Sequence, residues 1–219
     1  MKKKGKRTLI IGVLLSVLFL LFTWLVQNID VRPMGVNGTY IGFSTLNCAF
    51  HDLCSVHMTL YNVTDWAGLV PISVTASFAL VGLIQWIKRK HLFKVDRDIL
   101  LLGAHYFTVM MLYVVFQLFP VNYRPILIDG NLEASYPSST VLLVVAVMPT
   151  LSEQINRRYN TNAIKRTVTA LTYSFTVFIV VGRLFSGVHW FTDVVGSVMI
   201  GVGTFLIYRG FVCLIGNDA

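Results

Sequence analysis

What most limits the folds open to this chain is its alternation of long apolar runs with short cationic clusters. A run of about twenty apolar residues, wound as a helix, matches the thickness of a bilayer's hydrocarbon core. Six such stretches are expected to be helical: Leu9–Val26, Trp66–Ile87, Ile99–Phe119, Ser138–Ile155, Thr167–Gly182 and Phe191–Tyr208. Thr169, Thr172, Tyr173, Ser174 and Thr176 in the fifth suit a helix facing other helices rather than lipid. The opening Lys2-Lys3-Lys4-Gly5-Lys6-Arg7 and its apolar run resemble a signal peptide. However, the run is long, and Gln27-Asn28-Ile29-Asp30 has no small-x-small cleavage site, so a retained first span is expected. With 55% hydrophobic residues and no repeat or linker, the expectation is an all-α membrane protein. It is a single polytopic domain over 1–219, a bundle of six transmembrane helices with an outer-face segment at 28–65.

The charges set an orientation. Both termini of a six-span chain lie on one side, and fifteen of the eighteen Lys and Arg residues fall there: five before the first span, five between Lys88 and Arg97, then Arg157, Arg158, Lys165, Arg166 and Arg209. The positive-inside rule makes that side cytoplasmic and places the protein in the cell membrane as a multi-pass chain. Because the net charge of +8 is split among separated clusters, nucleic acid is not an expected partner. Cys48, Cys54 and Cys213 show no metal-site spacing, and Cys48 could pair with Cys54 only in an oxidising space.

Only Arg32, Arg124 and Arg183 fall on the outer side. Arg183 opens a dense polar stretch, with His189 and Asp193 following within eleven residues between apolar runs. Polar groups at such a place are expensive and call for a reason. If a helix starts near Ser186-Gly187, His189 and Asp193 share a face. The carboxylate then holds one ring nitrogen and leaves the other free to attack, while Arg183 offers a fork of donors to a phosphate-like anion. A snorkelling arginine beside an interfacial His–Asp bond is the plainer reading of the same residues. Two further segments meet this face: Tyr123-Arg124-Pro125, and Ser135-Tyr136-Pro137-Ser138-Ser139-Thr140. With Pro137 in a first helical turn, the amides and hydroxyls of Ser138, Ser139 and Thr140 make an anion site at a helix N-terminus.

These segments resemble the type 2 phosphatidic acid phosphatase (PAP2) superfamily of membrane lipid phosphatases. Its signature runs Lys-x6-Arg-Pro, Pro-Ser-Gly-His and Ser-Arg-x5-His-x3-Asp. The third motif is matched at Arg183, His189 and Asp193, with Gly182 in place of its leading serine, and residues 117–193 carry all three motifs. The resemblance implies a PAP2-type helical bundle in which His189 is the nucleophile, forming a phosphohistidine, and Asp193 orients it. It also implies that Arg124, Arg183, Ser138, Ser139 and Thr140 hold the phosphate, with neither metal nor cofactor. Two positions depart from the pattern. Gln117 stands where the first motif has lysine, so it contributes a donor without charge. Thr140 stands where the second has the histidine that protonates the leaving group. Glu133, Asp129, His51 and His57 lie on the same face and are candidate replacements.

A missing acid bears on substrate. An alkoxide leaving group needs a proton badly, whereas phosphate, with a second pKa near about 6, can depart unaided. The expected substrate is therefore a lipid phosphate or, more pointedly, a lipid diphosphate such as a polyprenyl diphosphate, hydrolysed at the outer face. The alternative is a catalytically impaired relative that binds lipid phosphates without turning them over. A transporter or structural membrane protein would leave the third motif unexplained. The lipid substrate and the surrounding membrane lipids are the expected partners, with oligomeric state left open.

Overall fold

A computed structural model describes residues 2–215, and the ends of the expected 1–219 domain, Met1 and 216–219, lie outside the described residues. Its helices are α1 (Lys2–Asn28), α2 (Ser44–Cys54), α3 (Met58–Ala67), α4 (Leu69–Arg89), α5 (Arg97–Leu118), α6 (Ser139–Arg158), α7 (Asn162–Phe185) and α8 (Phe191–Ile215). Two short 3-10 helices, Val36–Gly38 and Leu92–Lys94, and isolated β-bridges accompany them among the described residues.

Among the described residues, five helical stretches are long and apolar enough to cross a membrane: α1, α3 running into α4, α5, α7 and α8. The fourth expected span, Ser138–Ile155, corresponds to α6, which does not meet that description and carries polar Glu153, Gln154 and Asn156 in its last turns. It is instead the helix the others enclose, packed on α4, α5, α7 and α8 with Val141, Leu142, Val144, Val145 and Ala146 buried. A helix shielded by helices does not need a uniformly apolar surface, since its polar groups find partners inside the bundle. Thr150 Oγ1 bonds Tyr106 Oη at 2.7 Å, and Gln154 Nε2 donates to Tyr208 Oη at 2.7 Å.

The helix α1 lies antiparallel along α8 on a seam of small residues. A Cβ on Gly12 would sit 2.7 Å from the Ile207 backbone nitrogen, and one on Gly210 would sit 2.8 Å from Leu9. Backbones this close gain dispersion contacts that larger residues would forbid. The seam sets the N-terminus beside the far end of α8, with Gly5 against Cys213. The same end gathers the basic clusters: Arg158 on Asp98 at 2.7 Å, Arg89 on Asp96 at 2.7 Å and Arg209 on Glu153 at 3.1 Å.

At the opposite end, the 28–65 segment is more ordered than an outer loop. It folds into α2 and α3, tied down by buried Asn47, which donates to Gly42 O at 2.8 Å and to Thr192 Oγ1 at 3.0 Å. The second span was expected from Trp66; helix already begins at Met58 and breaks at Gly68. Arg32, one of the three arginines expected on the outer side, pairs with Asp30 at 2.8 Å and stays exposed. Cys48 and Cys54 are free thiols. Six residues apart on α2, they project about 120° apart around its axis and sit about 9 Å apart along it, which does not suit a disulfide.

Candidate active site

Two connections converge at the end of the bundle away from the basic clusters. Residues 119–138 double back as an irregular hairpin, with the Arg124 N–H bonded to Glu133 O at 3.0 Å and the Ser135 N–H to Asn122 O at 2.9 Å. The hairpin presents Arg124 and then delivers the chain to α6. The turn between α7 and α8 carries His189. Gly187 there has φ +70°, and a Cβ would fall 2.0 Å from Ser55 O, so both conformation and space require glycine. Trp190 fastens the two connections together, donating from Nε1 to Tyr123 O at 2.7 Å.

His189 is buried, and its Nε2 faces Ser138 Oγ at 3.2 Å and Arg124 Nη1 at 3.4 Å. Ser138 is the N-cap of α6, yet its hydroxyl makes no capping bond. An uncapped helix start sacrifices about 0.5–2 kcal/mol, so the hydroxyl is spared for something else. Burial, then the positive charges of Arg124 and Arg183, hold the His189 pKa well below the usual histidine value. The imidazole is therefore neutral at physiological pH, the form that keeps a lone pair.

No helix starts at Ser186-Gly187, and the last one, α8, begins at Phe191, as the expected sixth span does. His189 lies in the turn before it. The four-residue spacing therefore spans a helix start. It places Asp193 in the first turn, where its Oδ2 accepts the Trp190 N–H at 2.9 Å, as an acidic residue three beyond an N-cap does. Asn122 donates to the other oxygen at 3.3 Å. His189 Nδ1 stands 3.7 Å from Asp193 Oδ2, within ion-pairing distance but without a hydrogen-bond partner.

Arg183 is fully buried at the end of α7. Its Nη2 donates to Thr140 Oγ1 at 2.7 Å and to Asp65, and its guanidinium stacks on the Tyr61 ring, 4.7 Å from the centroid. Arg124 approaches the same ring at 5.7 Å. Arg183 Nε and Nη1, however, have no partner, and Arg124 Nε lies 3.0 Å from Glu133 Oε2 outside hydrogen-bond geometry. Each buried orphan donor costs about 1–3 kcal/mol. Stacking on one ring is worth about 0.5–2 kcal/mol and does not offset two of them. The cost makes sense if an anion completes the set.

The remaining expected residues divide. Pro137 precedes the N-cap rather than occupying the first turn, and the Ser138 amide is already bonded to Asp193 O at 3.3 Å. The amides of Ser139 and Thr140 are the helix-start donors left to an anion. Gln117 is exposed on α5, beside Tyr136, Pro137 and Ser139 in a shallow depression, and no hydrogen bond joins it to the arginines among the described residues. Of the proposed acids, Glu133 reaches Arg124, Asp129 sits exposed at the hairpin tip and the His51 ring packs on Trp190. His57 is exposed, and its backbone amide bonds Ser186 O at 2.9 Å. Tyr61, Asp65 and Asn122 are the additions that sequence reasoning missed. The first two lie one helical turn apart on α3, in a segment without a motif, and only the packing of α3 on α7 brings them in. An asparagine two residues before Arg124 was a faint signal at most.

The solved structures include a fold match with a transmembrane PAP2-type phosphatidylglycerolphosphate phosphatase from Bacillus subtilis. The TM-score is 0.66 at 19% identity, covering 95% of this chain and 98% of that one. No curated protein matches the chain in sequence. The family model of the PAP2 superfamily matches residues 105–213, which hold Arg124, the start of α6 and the His189 turn. Through that C-terminal half, the chain belongs to the PAP2 superfamily.

Proposed function

We propose that the protein is a membrane lipid phosphatase, six-span with α6 as the enclosed crossing, with both termini cytoplasmic and its site at the outer face. The observation that carries the activity is a neutral, buried imidazole beside two buried guanidiniums, one of them with two unpaired N–H groups. Phosphoryl transfer makes few covalent demands on a protein, so positioning and charge stabilisation supply most of the catalysis. In this reading, the Nε2 lone pair of His189 attacks phosphorus in line with the departing oxygen. Arg183, Arg124, the Ser138 hydroxyl and the Ser139 and Thr140 amides hold the equatorial oxygens. A phosphohistidine results, and water then returns the imidazole. Asp193 fixes the turn that aims the ring, and it comes within bonding distance of Nδ1 if the ring gains positive charge in the transition state.

The lipid has a place to go. An apolar cavity of about 400 Å³ lies between α4, α5 and α6, lined by Leu69, Ile72, Val109, Met110, Leu143 and Val147, with Asp65, Ser139 and Thr140 at its polar end. A chain lying there points its phosphate at Arg183. The substrate is then a lipid phosphate or diphosphate. The 3.7 Å gap between His189 and Asp193 favours a second reading, binding without turnover.

Phosphate release from a panel of lipid substrates by the purified protein, with His189→Ala as control, separates the two. The panel takes phosphatidylglycerolphosphate, phosphatidate and a polyprenyl diphosphate. Turnover that falls to background in His189→Ala supports the enzyme. Equal release by both proteins removes the nucleophile assignment, and binding without release leaves the second reading.

A further inference from the structure

We propose that Asp65 is the acid that protonates the departing oxygen, and that its carboxylate then takes the proton from the attacking water. This rests on the phosphatase reading above and adds a catalytic residue to that same site.

Asp65 stands where two parts of a bound lipid phosphate must meet. It contacts the Arg183 Nη2 that also holds Thr140, and both Asp65 and Thr140 border the apolar cavity. With phosphate on Arg183 and the chain in the cavity, the bridging oxygen lies between them, at these two side chains. A threonine hydroxyl is no proton donor at neutral pH, which leaves the carboxyl. The other carboxylates near the arginines are placed wrongly. Asp193 is buried behind the imidazole on its Nδ1 side and committed to Trp190 and Asn122. Glu133 is held at Arg124 on the hairpin and does not border the cavity.

The approach of α3 is built in. A Cβ on Gly182 would come 2.6 Å from Thr64 Cγ2, so glycine there lets α3 close on α7. Tyr61 and Asp65, four residues apart, then face the guanidinium together. Asp65 is half exposed, so water can reach it.

While the site is empty, the Asp65 carboxylate is paired with Arg183. An arriving phosphate takes over the guanidinium and sets its own negative charge beside the carboxylate. Loss of a cation and gain of an anion both raise a carboxyl's proton affinity, so the substrate itself loads the acid from water. In the first step the Nε2–P bond forms and the bond from phosphorus to the bridging oxygen breaks. The electron pair goes to that oxygen, which receives the Asp65 proton and leaves as the alcohol. In the second step water attacks phosphorus, its proton passes to the Asp65 carboxylate, and the N–P electron pair returns to Nε2. Phosphate dissociates, and Asp65 gives up its proton and re-forms the pair with Arg183.

The test reads the first step in the full-length protein, as phosphohistidine formed in rapid-quench single turnovers. Dodecyl phosphate and dodecyl diphosphate share a chain and differ in whether the leaving group needs a proton. Asp65→Asn, which preserves shape and an acceptor for Arg183, should slow phosphorylation by dodecyl phosphate about a hundredfold or more. Phosphorylation by the diphosphate should change by less than about threefold, which also reports that the variant is folded, and Asp65→Glu should recover part of the monoester rate. Equal losses on the two substrates, or no loss on either, would overturn the assignment. If the wild-type protein forms no phosphohistidine and releases no phosphate from either compound, it is the phosphatase reading that fails.

Discussion

The two ends of the bundle use the same residue types to opposite effect. At the basic end, Arg158 binds Asp98, Arg89 binds Asp96 and Arg209 binds Glu153. These guanidiniums are partly exposed, and water can satisfy whatever donors the carboxylates leave. At the other end, Arg183 is fully buried with Nε and Nη1 empty-handed, and Arg124 is nearly as deep. A charge at a water-rich surface can be paired or left alone at little cost, whereas a buried charge must be compensated. The burial of an incompletely paired arginine, more than its presence, marks the end where an anion belongs.

Exchanging arginine for lysine at each end is the sharpest way to break this contrast. Arg183→Lys keeps the charge but loses the planar fork, and turnover should fall about 10²- to 10³-fold. Arg158→Lys should leave turnover within about twofold and cost no more than about 1 kcal/mol of stability. Lipid phosphate hydrolysis and thermal unfolding of both variants check this, and similar activity losses at the two ends would erase the distinction.

Asp193→Asn comes next, with an expected loss of about a hundredfold in kcat. Part of that loss is indirect, because a neutral amide caps the start of α8 less well and lets the His189 turn drift. A drop in Tm should accompany it, corresponding to about 0.5–2 kcal/mol. A variant with full stability and the same loss of kcat would assign the whole effect to the His189–Asp193 contact.

The smallest expected effect is on pH dependence. With His189 as the proposed nucleophile, the free enzyme should lose activity as pH falls through the His189 pKa. Burial and the arginines depress that pKa, so the acid limb of kcat/KM should lie below the ordinary histidine value of about 6.5. Arg124→Gln removes a repelling cation and should move the limb upward, toward 6.5, whatever it does to the absolute rate. An acid limb already at or above 6.5 in the wild type would contradict a neutral, charge-repelled imidazole.

Much of this protein was legible before any coordinates. Apolar runs of bilayer length separated by basic clusters determined an all-helical membrane chain, because hydrocarbon leaves unpaired backbone groups so few alternatives. The spacing of Arg183, His189 and Asp193 determined the neighbourhood of the site, since a few residues of chain cannot travel far. Other features were beyond local pattern. The α6 composition falls short of a membrane span, and only its neighbours explain why it needs no more. The His189–Asp193 spacing looked helical, but Gly187 turns the chain and a helix starts between them. Asp65 and Tyr61 lie more than a hundred residues before Arg183, and nothing in their own segment marks them. They reach the guanidinium because Gly182 lets one helix lie close on another. Periodicity and composition are properties of short stretches, whereas that close approach depends on shapes contributed by two distant segments, which only the tertiary structure brings together.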